Sequence, residues 1–187
     1  MELGDALSLS TSNFVSVLEH VSARDLALAT PCEEWSVAQL VWHVARASDM
    51  SVLLVEGGSR DDAIQVMRTP AGPEVIAECR RALAAQMVSL AGADLEQIAH
   101  HPIGDVTVRQ LYDFRIMDLT VHAWDLARAI GADEHLPPDL VDHVYGFLTP
   151  LEPFIGEIGI FGAGPSGSLA QGASAQSKML DLSGRRP

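Results

Sequence analysis

The stretch TVRQLYDFRIMDLTVHAWDLARAIG, Thr107 to Gly131, decides how this chain is read. Thr107 can cap a helix, and Gly131 suits the left-handed position that ends one. Between them Leu111, Phe114, Asp118, Val121 or His122, Asp125 and Ala129 recur at helical spacing, so a helix is predicted over 108–130. Its core stripe should be apolar, yet it holds Asp118, His122 and Asp125. Asp118 and His122 lie one turn apart on one face, and Asp125 extends that face three residues later. A carboxylate on a buried face is costly unless paired or coordinated, so these three groups need a shared partner.

Working outward, a second polar residue sits inside an apolar helix. Ser36 can cap it, and Val37, Leu40, Val41, Val44 and Ala47 carry its spacing towards Glu56. His43 interrupts the run Leu40-Val41-Trp42-His43-Val44-Ala45. Packing these two helices together would bring His43 towards Asp118 and His122. Two imidazoles and one carboxylate suit zinc, nickel or iron, and three protein ligands leave an open position, as in catalytic zinc sites. Taken singly, each residue has a plainer reading: a hydrogen-bonded core histidine for His43, and a buried ion pair or solvated face for Asp118 and His122.

The remaining pattern is also helical. A first helix is expected from about Asp5 to Ala23, with Leu7, Phe14, Leu18 and Val21 on one stripe. A connection through Pro31 follows. Residues 57–73 read as a long loop with one turn around Ala63 to Met67. A helix after Pro73 reaches Leu90, and one more turn is expected over Leu95 to Ala99. His100-His101-Pro102 and Gly104 break the chain, and Pro137-Pro138 open a helix to Leu148. Residues 149–172, with Pro150, Pro153, Pro165 and many glycines, read as a flexible loop, and a short helix follows over Ala173 to Leu182. No convincing strand alternation is evident. The expected fold is all-α: one domain over 1–187, four main helices packed as a bundle with extra short helices and a C-terminal appendage.

Composition bounds the function. The chain has 187 residues, 48% of them apolar and 20% charged, which suits a folded domain rather than a disordered one. A net charge of −13 argues against nucleic acid and against anionic membranes, because both need a basic surface. Cys32 and Cys79 do not suggest a secreted disulfide framework, the N-terminus lacks a basic start, and no apolar run approaches bilayer length. A cytoplasmic location is expected.

The motifs Thr30-Pro31-Cys32, Trp35 through Val44, and Asp118 through Gly131 resemble the actinobacterial metal-binding family related to the N-terminal domain of mycothiol-dependent maleylpyruvate isomerase. That family lies in the DinB-like four-helix-bundle superfamily, and the tail Leu180 to Pro187 resembles its closing motif. The resemblance implies that His43, Asp118 and His122 are metal ligands, with Asp118 standing where the isomerase has Glu. That shorter arm would draw the ion towards the helix backbone or admit a water. Asp125 matches a recurrent acidic position. It either accepts a ring N–H from His43 or His122 or pairs with Arg128 or Arg115. The resemblance further implies a divalent cofactor, most readily zinc, and a low-molecular-weight thiol such as mycothiol transferred to, or isomerising, a small electrophile. It also implies a homodimer. A metal-dependent hydrolase and a non-enzymatic, metal-stabilised ligand-binding module are the alternatives. The isomerase carries an additional C-terminal domain, so its own activity is not expected from the residues after Leu148. Cys32, Trp35 and Trp124 are read as packing residues, His100 and His101 as solvated, Arg109 and Arg128 as solvated, and Arg115 as facing the rim of the site.

Overall fold

Helix formation at the decisive stretch follows from its two ends. In a computed structural model describing residues 1–33, 35–155 and 164–187, Thr107 accepts from the Gln110 backbone N–H and the Gln110 side chain returns the favour. The helix stops at Gly131, whose φ of 69° a side-chain-bearing residue adopts only under strain. This helix, Val108–Ile130, spans the residues expected and is called α5 below.

The elements before it are α1 (Leu3–Leu18), α2 (Val37–Val55), α3 (Arg60–Arg68), α4 (Val75–Ala91), and a hairpin of β1 (Ile98–His101) and β2 (Gly104–Thr107). After it come α6 (Pro138–Leu148), a 3-10 turn over Thr149–Phe154, and α7 (Ala175–Leu182). Helices α1, α2, α4 and α5 form the bundle: α2 packs on α4 and α5, and α1 packs on α5. Helix α6 lies against α5 and carries α7. The core runs through Phe14, Leu40, Val44, Leu83, Leu111, Leu119 and Trp124, all buried. Among the described residues, no helix is long and apolar enough to cross a membrane.

Three local departures from the expected pattern have physical causes. Helix α1 ends at Leu18, not Ala23, because the Ser22 backbone and hydroxyl both donate to Asp25 Oδ2, at 2.9 and 2.6 Å. Such local bonds compete with helical ones. Residues 60–68 form a helix where a loop was expected, since Ser59 and Asp62 make a reciprocal capping box and Ala63 supplies a buried contact. Residues 98–107 form a hairpin where a helical turn and a break were expected. Ala99 pairs with Val106, both buried, and Gly104 turns the chain at φ 142°. The loop expected over 149–172 opens with the 3-10 turn, and its positions 156–163 lie outside the described residues.

Phe14 tests the seam between α1 and α5. It is wholly buried, so Phe14→Ala should lower the unfolding free energy by about 3–5 kcal/mol in urea denaturation. A loss under about 1 kcal/mol would mean that this stripe does not face the core.

Candidate metal centre

Capping and packing deliver the site. The Ser36–Gln39 capping box starts α2 so that His43 falls on the side facing α5. There His43 Nε2 lies 3.2 Å from Asp118 Oδ1, and His122 Nε2 lies 3.3 Å from the same oxygen. The three donor atoms are all within 4.8 Å of one another. In a tetrahedral shell with bonds of about 2.0–2.2 Å, neighbouring ligand atoms sit about 3.3–3.6 Å apart. The two short edges here are therefore close to coordination edges. They are also longer than a good charged hydrogen bond of about 2.7–2.9 Å. Two nitrogens and one oxygen form a donor set that fits a divalent transition ion.

Both carboxylate oxygens of Asp118 are engaged. Oδ2 accepts from Arg115 Nη1 at 2.7 Å. Arg115 is 3% exposed and does not face the rim as expected. Its Nε donates to Gln86 Oε1 on α4 at 2.7 Å, and its Nη2 donates to Ser48 Oγ on α2 at 3.2 Å. Arg115 thus ties Asp118 of α5 to α4 and α2. The side chains of His43 and Asp118 are partly exposed, at 21% and 18%. The Trp35 ring stands beside it, its centroid 4.8 Å from that of His43 and 5.9 Å from that of His122. Trp35 is therefore a wall of the site as well as a packing residue.

The electrostatics follow from burial and charge. Burial favours a neutral Asp118, but His122, Arg115 and His43 hold its carboxyl well below the usual range. Burial lowers His43, against the pull of Asp118. Burial also opposes charge on His122, yet Asp118, Asp125 and Cys32 raise it well above the ordinary histidine value.

Asp125 is buried and accepts from His122 Nδ1 at 2.9 Å, leaving Nε2 to face Asp118. Among the arginines its partner is Arg185 of the C-terminal tail, not Arg128 or Arg115. Nε donates to Oδ1 at 3.1 Å and Nη2 to Oδ2 at 2.7 Å. Cys32 is not an inert apolar filler. Its Sγ lies 3.2 Å from Asp125 Oδ2, 3.2 Å from Arg185 Nη2 and 3.8 Å from His122 Nδ1. A turn holds it there, with the Thr30 hydroxyl bonded to the carbonyls of Cys32 and Trp35. Arg185 and Cys32 lie far from Asp125 in sequence and carry no periodic signal; only the tail motif pointed towards Arg185.

The other candidates stay apart from this centre. Trp124 is core, with the Arg128 guanidinium 4.6 Å above its ring. His100 pairs with Asp105 on the hairpin at 3.0 Å, His101 rests against Phe114, and exposed Arg109 bonds Glu96.

Asp125 yields a pH test on metal-free protein. Burial would raise its carboxyl, but the His122 hydrogen bond and Arg185 lower it from 3.8 to about 2. A carboxyl depressed on folding stabilises above its unfolded value, and that contribution fades as pH falls through about 2. The destabilisation caused by Asp125→Asn should therefore shrink by about 2 kcal/mol between pH 5 and pH 2 in denaturant titrations. A pH-independent difference would contradict the charged pairing.

Residues 7–127 match the family described as mycothiol maleylpyruvate isomerase N-terminal domain. Two uncharacterized proteins of Mycobacterium tuberculosis, from strains CDC 1551 / Oshkosh and ATCC 25618 / H37Rv, are each 30% identical over 132 residues. Those residues are 68% of this chain, and the match spans 66% of each relative's length. Among solved structures, the mycothiol-dependent maleylpyruvate isomerase superposes with a TM-score of 0.64 at 17% identity, over 84% of this chain and 72% of that one. A histidine-to-alanine mutant of that isomerase gives 0.64 at 18% identity, over 88% and 74%. At these identities the structural likeness establishes the fold.

Proposed function

The chain belongs to the mycothiol maleylpyruvate isomerase N-terminal domain family, and on that premise we propose that it is a metal-dependent thiol enzyme. His43, Asp118 and His122 bind one divalent cation, zinc before nickel or iron. The cosubstrate is a low-molecular-weight thiol of the mycothiol kind, and the substrate is a small electrophile. The observation that carries this reading is the pair of 3.2 and 3.3 Å edges converging on Asp118 Oδ1 between partly exposed side chains. A divalent cation held there supplies Lewis acidity that favours the thiolate form of a thiol bound beside it.

The protein's own residues shape that chemistry. Arg115 shares the charge of Asp118 and fixes its carboxylate plane, so the second oxygen stays aimed at both histidines. Asp125 accepts a hydrogen bond from His122 Nδ1–H and leaves Nε2 as the atom that meets the metal. The Trp35 ring excludes water from the imidazole faces and offers an apolar surface to an electrophile.

Metal analysis of purified protein tests the ligand set. One divalent ion per chain is expected, with affinity at least about 100-fold weaker in His43→Ala and His122→Ala. Unchanged stoichiometry in the double variant would contradict the assignment. Because His122 is held protonated and a metal ligand must be neutral, zinc added to metal-free protein at pH 7 should release about one proton. Calorimetry in buffers of different ionisation enthalpy measures this. For activity, a rate for thiol addition to a model electrophile that vanishes on chelation is expected. Metal-dependent ester or amide hydrolysis without a thiol requirement would instead identify a hydrolase. Tight ligand binding with neither reaction would identify a binding module.

A further inference from the structure

We infer that Arg185 is a positioning residue for the metal centre, acting through Asp125 on His122, and that the turn ending α7 exists to aim it. This rests on the metal reading above and goes beyond its ligand set.

The delivery is built from the chain upward. Met179, Leu180 and Leu182 of α7 are buried and anchor that helix beside α6. The helix ends in a paired turn. The Arg185 N–H donates to the Leu180 carbonyl at 2.9 Å, and the Gly184 N–H donates to the Asp181 carbonyl at 3.0 Å. Gly184 takes φ 80°, the left-handed conformation that this termination requires. The turn reverses the backbone and sends the Arg185 side chain inward, where it is only 11% exposed. Its Nη1 donates to the Ser183 carbonyl at 2.7 Å, which orients the guanidinium before it meets Asp125.

The guanidinium then does what no single charge can. Its Nε and Nη2 take one carboxylate oxygen each, fixing both the position and the plane of Asp125. Oδ2 is left placed to accept a hydrogen bond from His122 Nδ1–H at 2.9 Å. The orientation of His122, and so the aim of Nε2, depends on a tail residue sixty positions after Asp125. Cys32 Sγ, 3.2 Å from both Asp125 Oδ2 and Arg185 Nη2, closes the same cluster from the turn before α2.

The test uses the full chain as wild type, Arg185→Gln and Arg185→Lys, stripped of metal and titrated with Co2+ as a spectroscopic probe. Arg185→Gln should bind Co2+ about 10–100-fold more weakly and alter the visible ligand-field bands. Arg185→Lys keeps the charge but cannot span both oxygens, so it should fall between the two. Proton NMR of the metal-free proteins supplies a readout independent of metal. Wild type should show a slowly exchanging His122 Nδ1–H signal that is lost or shifted in Arg185→Gln. Equal Co2+ affinity and an unchanged spectrum in the variants would overturn the inference, leaving Arg185 as a clasp for the tail, even if the melting temperature falls. If wild type binds no Co2+, the metal reading fails. Positioning of His122 by Arg185 then stands or falls on the Nδ1–H signal alone. Should Arg185→Gln not fold, Arg185→Lys carries both measurements.

Discussion

The structure turns on one carboxylate, Asp118, placed where α5 should present hydrocarbon to α2. A buried carboxylate is tolerated only with compensation. Here the compensation is divided: Oδ2 takes the Arg115 guanidinium at 2.7 Å, and Oδ1 faces the imidazole nitrogens of His43 and His122. Arg115 in turn engages Gln86 on α4 and Ser48 on α2. Helices α2, α4 and α5 are thereby tied to one polar point, so electrostatics joins apolar packing in holding α2 against α5.

A second polar layer repeats the arrangement behind His122. Asp125 is buried, faces His122, and is met by Arg185. Each carboxylate thus has an arginine on one side and His122 on the other. The pairing keeps both acids ionised despite burial, with Asp118 held well below the usual range and Asp125 at about 2. Arg115 and Arg185 thus balance the charge of the two carboxylates one for one.

The legible part of this protein was local. Thr107, Gly131, Ser36 and Pro138 set helix ends where they were expected, and the step from Asp118 to His122 placed two donors on one face because helical spacing requires it. The Ser59–Asp62 box was equally local but sat in a segment too polar and glycine-rich to suggest a helix. The hairpin was hidden by length: each strand has four residues and only one buried side chain, Ala99 or Val106, so no alternation could register.

Sequence alone therefore determined the helices, their caps and the polar anomaly on α5, since backbone hydrogen bonding and side-chain spacing act over only a few residues. The sequence also offered His43 as one partner for that anomaly; tertiary structure decided the others: Arg115 turned inward rather than outward, and Arg185 with Cys32 closing on Asp125 from distant parts of the chain. The reason is physical. Relief of a buried charge comes from whatever complementary group packing brings within about 3 Å, and separation along the chain places no limit on which group that is.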